Sequence, residues 1–195
     1  MPNAGNMNAS PDRIIIACWM TVLVYWSVSA LRTKTIAEKQ SVPSAMAHRI
    51  PVGFGYCMLF FSHWPPPMND FIVPQSNWFR FLGAAVCTFG LFITIWARMT
   101  LAGNWSSDVT FKQGHELIRT GPYKLVRHPI YTGLLTMSLG TATEIGQLHS
   151  WLSILVTAVG FWIKLRQEER LLLRHFPEDY PHYQKHVKAL VPFVI

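Results

Sequence analysis

Residues 103–133 read GNWSSDVTFKQGHELIRTGPYKLVRHPIYTG and lie between two strongly apolar parts of the chain. This polar stretch holds six Gly or Pro, two His, two Tyr and four Lys or Arg in 31 residues. A loop that is rich in hydrogen-bond donors and joined at both ends to apolar segments is a typical place for function in a membrane protein. We therefore predict that the functional site lies here.

The composition favours an integral membrane protein. Half of the 195 residues are apolar and 14% are charged, against roughly 25% charged in soluble proteins. Residues 14–31, 50–64 and 81–97 carry no charge, and residues 129–163 carry only Glu144. The formal net charge of +7 could suggest nucleic-acid binding. Most basic residues flank apolar runs, however, so membrane topology explains them better and no nucleic-acid partner is predicted.

The apolar runs predict an all-α protein with five transmembrane helices. Residues 14–31, 50–64 and 81–97 form the first three. The run 129–163 is too long for one crossing, and Gly140 and the polar cluster that follows it favour a helical hairpin, which gives the fourth and fifth. Each arm of this hairpin is short for a bilayer. We therefore expect the second arm to continue beyond residue 163 into water.

The loop charges predict the orientation. Of the 17 Lys and Arg, four lie in residues 32–49, five in 98–127 and six from 164 onward, whereas residues 68–77 and 144–150 contain none. This positive-inside pattern places the amino terminus outside and the carboxyl terminus in the cytoplasm. The polar stretch and the carboxyl-terminal tail then share the cytoplasmic face, where they can meet.

These segments predict a single membrane domain over residues 1–195. Residues 1–100 would supply three spans. Residues 101–195 would form the functional core, in which the loop before the fourth helix and the tail enclose a pocket.

The His128-Pro129 pair predicts the start of the fourth helix. The residue before proline is disfavoured in helical geometry, and proline is favoured at the first helical position. The free N–H groups and the dipole of this helix end, next to Arg127, suit a carboxylate or phosphate. The alternative is an ordinary juxtamembrane loop in which Arg127 and Lys124 contact lipid headgroups.

A second candidate is the pair Glu168-Glu169. Paired acids just beyond a membrane helix usually form a solvated face with neighbouring bases, here Arg166 and Arg170. The functional alternative is that one Glu points back at the polar stretch and binds ligand hydroxyls or a cationic ligand.

No metal site is predicted. His182 and His186 have the i,i+4 spacing of metal ligands, but the sequence offers no third or fourth ligand for them. The sequence also contains no nucleophile elbow, phosphate loop or dinucleotide-binding glycine motif.

Five motifs together resemble the isoprenylcysteine carboxyl methyltransferase family, most closely its bacterial and archaeal members. They are HELI at 115–118, GPY at 121–123, RHPIYTG at 127–133, EE at 168–169 and FPEDYPHY at 176–183. The resemblance covers about residues 101–195. The combination of RHPxYxG with EE at this separation is specific, whereas the amino-terminal half matches only in being apolar.

The resemblance implies a membrane enzyme that uses S-adenosylmethionine, in a pocket at the cytoplasmic end of the last spans that the tail covers. It also implies a substrate-binding role for Lys164, which stands where eukaryotic enzymes place an arginine and lacks its bidentate fork. The cofactor-binding residues that it implies are His115, Glu116, Leu117, Ile118, Tyr123, Arg127, His128, Pro129, Ile130, Tyr131, Glu168 and Glu169.

The implied reaction is methyl transfer to the carboxylate of an isoprenylcysteine-like or other amphiphilic acceptor. A sulfonium methyl is already activated and a carboxylate is ionised at pH 7, so no catalytic base is predicted. A first alternative is a methyltransferase for small thiols or phospholipid amines, which would need Glu169 or His128 as a base. Further alternatives are a reductase of the sterol type that uses NADPH and a non-enzymatic scaffold.

Overall fold

A computed structural model describes residues 10–30, 36–105, 109–112 and 116–192. Within them, two short strands pair antiparallel, and two 3-10 turns, Ala102–Asn104 and Gly121–Lys124, flank the second strand. The helices are α1 (Pro11–Ala30), α2 (Val42–Phe60), α3 (Asn77–Leu101), α4 (Pro129–Ile145), α5 (Leu148–His175) and α6 (Asp179–His186), and the strands are β1 (Ile36–Lys39) and β2 (Thr110–Lys112).

The predominantly helical prediction is confirmed. Three helices are long and apolar enough to cross a membrane: α1, α3 with the turn that follows it, and α5. Large apolar side chains such as Leu23, Phe92 and Leu155 point outward and are more than half exposed, as expected of helices that face lipid. The small β1–β2 ladder was not predicted.

The predicted boundaries of the second helix were wrong. The sequence placed it at 50–64, but α2 spans Val42–Phe60 and so includes part of the basic loop. Pro43 lies in its first turn, where proline is tolerated, and the helix ends five residues before Pro65. The basic residues His48 and Arg49 therefore belong to a helix and not to a loop.

Close approach of backbones joins α3 to α4. A Cβ atom built on Gly140 would lie 2.3 Å from the backbone nitrogen of Cys87, and one on Gly90 would lie 2.6 Å from that of Met137. Real Cβ atoms do not come so near, so only glycine permits this separation. Close contact between small residues is a usual way in which helices associate in lipid.

We expect Gly140→Ala to lower the free energy of unfolding by about 1–3 kcal/mol, because the added methyl group must push α3 and α4 apart. Thermal unfolding in detergent measures the change. Gly53→Ala on α2 is the matched control, because a Cβ there meets no atom within 4 Å, and it should be neutral or slightly stabilising. Equal effects of both substitutions would contradict the close α3–α4 packing.

The predicted hairpin is confirmed. α4 ends at Gly146, whose φ of 74° is left-handed, and α5 begins two residues later. α5 then runs unbroken for 28 residues, about 42 Å at 1.5 Å per residue, which is longer than a hydrocarbon core of about 30 Å. The helix therefore carries Glu168 and Glu169 beyond its most apolar part, as expected.

The tail folds back onto the start of α4. Val126 bridges Lys188 in parallel, and the backbone nitrogens of Arg127 and His128 donate to the carbonyls of Lys188 (2.8 Å) and Ala189 (3.0 Å). The hydroxyl of Thr132 donates to the carbonyl of Leu190 at 2.7 Å. The segment before α4 and the tail after α5 therefore meet, as the sequence predicted.

Candidate functional site

A cavity of about 280 Å³ lies between Trp26 of α1, the stretch after α3, the start of α4 and the second half of α5. In the part of the chain that the structure describes, no residue of the tail after α5 lines it, so the prediction that the tail encloses the pocket is not confirmed. Seven of the residues predicted from the sequence line it: Tyr123, Arg127, His128, Ile130, Tyr131, Lys164 and Glu168. The remaining wall consists of Trp26, Leu101, Asn104, Trp105, Thr110, Leu134, Phe161, Leu171 and Leu172.

Glu168 of α5 is held by His128, the residue just before α4, and by Tyr131 in the first turn of that helix. The hydroxyl of Tyr131 donates to Glu168 Oε1 at 2.5 Å, and His128 Nδ1 lies 3.5 Å from Glu168 Oε2. His128 and Tyr131 also contact each other. Their rings stack with centroids 5.5 Å apart, and Phe161 stacks on Tyr131 at 4.9 Å. These contacts fix the carboxylate of Glu168 at an aromatic wall.

Glu169 points away from the cavity and holds the tail. Its Oε1 accepts from Nε and Nη2 of Arg127 at 2.8 and 2.6 Å, and its Oε2 accepts from Gln184 at 3.1 Å. Glu169 is 4% exposed. Nη1 of Arg127 donates to the carbonyl of Val187 at 2.5 Å. The two adjacent glutamates thus have different surroundings, one at the cavity wall and one beneath the tail.

His128 lies between the two acids and favours the charged form. Its Nε2 is 3.3 Å from Glu169 Oε1, while its Nδ1 faces Glu168. Burial by itself lowers the pKa of His128, but hydrogen bonds and charge attraction from Glu168 and Glu169 outweigh burial and raise the pKa above its ordinary value. The imidazolium therefore balances part of the negative charge of the pair.

The raised pKa of His128 predicts a pH-dependent stability. The stabilisation should be complete below the unfolded pKa of about 6.5 and should be lost as pH rises through the higher folded pKa. Thermal unfolding between pH 6 and pH 9 measures it. The His128→Gln variant, which stays neutral, should show a flatter dependence over this window. Parallel curves for the two proteins would show that His128 is not charged in the fold.

Residues 116–118 of the HELI motif are not among the residues that line the cavity. His115 falls outside the described residues. Glu116 is exposed, whereas Leu117 and Ile118 are half-buried, and Ile118 packs on the core around Tyr123 and Phe161. Cofactor binding by this motif stays a prediction.

Pro129 of the polar stretch and Tyr183 of α6 support the site without lining the cavity. Pro129 is buried at the first position of α4, as the sequence predicted. The hydroxyl of Tyr183 donates to the carbonyl of Tyr123 at 2.5 Å. Burial raises the pKa of Tyr183 to about 12, so it remains a neutral donor.

Sequence reasoning missed most of the apolar wall. Trp26 on α1 and Phe161 on α5 lie inside hydrophobic runs, where nothing in the pattern separates a cavity-lining ring from a lipid-facing one. Asn104 and Thr110 could have been found, because they are polar residues of the stretch 103–133. Within the described residues, no group of three or more His, Cys, Asp or Glu is arranged to hold a metal ion.

Comparison with known proteins supports the resemblance inferred from the motifs. Residues 83–174 match the model of the isoprenylcysteine carboxyl methyltransferase (ICMT) family. This range begins within α3, earlier than the motifs indicated, and ends before the tail. It contains both halves of the Tyr131–Glu168 contact.

Curated relatives include proteins named protein-S-isoprenylcysteine O-methyltransferase. The one from Homo sapiens is 29% identical over 123 residues, which are 62% of this chain and 43% of the relative. The one from Saccharomyces cerevisiae is 29% identical over 116 residues, 58% of this chain and 48% of the relative. A protein named form B of this methyltransferase, from Arabidopsis thaliana, is 27% identical over 123 residues, 62% of each chain. The chain thus spans less than two thirds of each relative.

Proposed function

We propose that this chain, whose residues 83–174 match the model of the isoprenylcysteine carboxyl methyltransferase family, is a membrane methyltransferase that uses S-adenosylmethionine. Its acceptor would be the carboxylate of an isoprenylcysteine-like or other amphiphilic molecule. The observation that carries the proposal is the position of Glu168, which Tyr131 and His128 hold at the wall of an aromatic cavity.

The cavity suits the methyl donor in its charge and its aromatic lining. The donor carries an ammonium, a sulfonium, a carboxylate, two ribose hydroxyls and a purine. Glu168 offers a carboxylate to a cation or hydroxyl. The indole rings of Trp26 and Trp105 offer aromatic surface to a cation or a purine. The residues present therefore fit the group.

When bound, the donor would supply an activated methyl group. The chain would orient the two reactants and exclude water from them. Stacking on Phe161 and the hydrogen bond to Glu168 fix the ring of Tyr131. The side chains of Leu134 and Leu171 keep the adjoining wall apolar, which limits water around the reacting atoms. Correct orientation of two reactants by itself accelerates a reaction strongly. A carboxylate acceptor is already ionised at pH 7, so no base is required for it.

Lys164 is the residue proposed to contact the acceptor. It lines the same cavity one helical turn before Glu168, and its Nζ lies 5.4 Å from the centroid of the Tyr131 ring. A carboxylate between Lys164 and the donor would be attracted by the positive charge of the Lys164 ammonium group. A lysine binds such a group as a point charge, so it would tolerate more varied acceptors than an arginine fork.

We further propose a single membrane domain with five crossings, the amino terminus outside and the carboxyl terminus in the cytoplasm. In this arrangement α2 and α4 cross beside α1, α3 and α5. The ion pair between Arg80 and Glu144 (2.8 Å) lies at the opposite end of α4 from Arg127 and His128. The basic end with the cavity would then face the cytoplasm, as the loop charges require.

Labelled methyl transfer from S-adenosylmethionine in membranes that contain this chain tests the proposal. A base-labile labelled ester is the expected product. A stable labelled thioether or amine would instead identify the alternative class of methyltransferase. NADPH-dependent reduction without any labelled product would favour a reductase, and no binding of S-adenosylmethionine by calorimetry would overturn the proposal.

A further inference from the structure

Two buried oxygen atoms at the cavity have no hydrogen-bond partner among the residues that the structure describes. They are Oδ1 of Asn104 and Oγ1 of Thr110. The residues are only 8% and 9% exposed, and both line the cavity. Buried polar groups are paired in nearly all folded proteins, and an unpaired one raises the free energy of the unliganded state. A ligand that donates to these oxygens would remove that cost.

The turn that carries Asn104 is held firmly. Arg98, which is 2% exposed, donates from Nη1 to the carbonyl of Ala102 at 2.7 Å and from Nη2 to that of Ser29 at 3.1 Å. Its guanidinium also lies 4.5 Å from the ring centroid of Trp105. Ala102 has a φ of 47°, a left-handed conformation that is unfavourable for a residue other than glycine. Backbone strain of this kind persists only where surrounding contacts enforce it.

Thr110 comes from a different segment and is fixed independently. It pairs with Lys39 in the β1–β2 ladder, which joins the stretch before α4 to the segment between α1 and α2. The turn that Arg98 stabilises and the paired strand β2 thus bring two oxygens without hydrogen-bond partners among the described residues to one cavity. Neither oxygen takes part in the contacts that hold Glu168.

We propose that Asn104 and Thr110 form a contact site that accepts hydrogen bonds from an N–H or O–H group of the bound ligand. This inference rests on the proposed function. Two sources fit the chemistry: the ammonium or a hydroxyl of S-adenosylmethionine, and an amide N–H beside the acceptor's carboxylate. The carboxylate itself does not fit, because it is ionised at pH 7 and has no hydrogen to donate to the carbonyl oxygen of Asn104.

Thr110→Val is the decisive variant, because valine keeps the shape of threonine but lacks the hydroxyl. Ligand affinity should fall about tenfold, the usual effect of one lost hydrogen bond. The thermal midpoint of the unliganded protein should stay equal or rise, because an unpaired buried hydroxyl has been removed. Thr110→Ser keeps the hydroxyl and is the matched control, with wild-type affinity expected. Asn104→Leu should act like Thr110→Val.

Two measurements on the full chain separate the sources. Calorimetry with S-adenosylmethionine alone reports on the donor. Steady-state KM values for a prenylated N-acetylcysteine and for a prenylated thiopropionate, which lacks the amide, report on the acceptor. Weaker donor binding in Thr110→Val assigns the contact to the donor. An increased KM for the amide-containing acceptor alone assigns it to the acceptor.

Two results overturn the inference while the proposed function stands. The first is that wild type, Thr110→Val and Asn104→Leu bind the donor equally tightly and have equal KM values for both acceptors. The second is a clear loss of unliganded stability in both variants, which would mean that the two oxygens already have partners. Failure of the wild type to bind S-adenosylmethionine would instead overturn the proposed function, and the inference with it.

Discussion

Glu168→Ala should weaken S-adenosylmethionine binding by at least about 100-fold, because a charge-assisted contact to a cation or hydroxyl is lost at a largely apolar cavity wall. The side chain of Glu168 is 24% exposed and is held by Tyr131 and His128, so its removal also frees their polar atoms. Calorimetry on the purified protein in detergent measures the affinity. Glu168→Gln retains an oxygen that accepts from Tyr131 but loses the charge. Its affinity for S-adenosylmethionine should lie between those of the wild type and Glu168→Ala.

Asp70→Ala is the control for loss of one acidic charge. Asp70 is exposed, and its backbone carbonyl bonds Leu148 at the start of α5, at the far end of that helix from Glu168. Donor affinity of this variant should equal that of the wild type. Unchanged affinity in Glu168→Ala, with the protein still folded, would remove Glu168 from the donor site and with it the main support for the proposed function.

Arg127→Met should lower the free energy of unfolding by about 3–5 kcal/mol, because it leaves the buried carboxylate of Glu169 without its charged partner. It should also release the tail, since Arg127 bonds the carbonyls of Gln184 and Val187 as well as Glu169. Thermal unfolding measures the first effect. Limited proteolysis of the tail after α5 measures the release of the tail.

Arg119→Ala is the matched control. Its ion pair with Asp179 is as short, 2.7 Å, but the two side chains are 43% and 59% exposed, so the loss should be at most about 1 kcal/mol. The double variant Arg127→Met/Glu169→Leu removes both buried charges and should regain part of the lost stability. Equal effects of Arg127→Met and Arg119→Ala would show that Arg127 does not anchor the tail.

The sequence predicted which helices are present better than it predicted the residues at which they begin and end. The hairpin between α4 and α5 was predictable because 35 mostly apolar residues exceed one crossing and Gly146 can adopt a left-handed φ. The start of α2 was not, since Pro43, Ser44, His48 and Arg49 interrupt the apolar pattern of residues 42–49 and make them resemble the end of a polar loop. Burial of His48 and its 2.8 Å contact with Gln167 on α5 stabilise that part of the helix, and such a contact between distant residues leaves no local pattern.

The candidate site, too, was predictable only in part. His128, Tyr131 and Glu168 were predictable because polar residues at the ends of apolar helices stand out, and because their motifs are specific to a family. The separate surroundings of Glu168 and Glu169 could not be predicted. Adjacent residues on a helix point about 100° apart, and only the packing of α5 against the start of α4 and the tail decides which of the two faces the cavity.

By itself, the sequence predicted the helical membrane class, a functional region in the polar stretch 103–133 and a resemblance to the isoprenylcysteine carboxyl methyltransferase family. These follow from runs of hydrophobicity and from short motifs, which are local properties of the chain. The tertiary structure decided that Trp26, Asn104 and Thr110 share one cavity with Glu168, and that Arg127 anchors the tail. Both depend on contacts between residues far apart in the chain, which arise only when the helices pack.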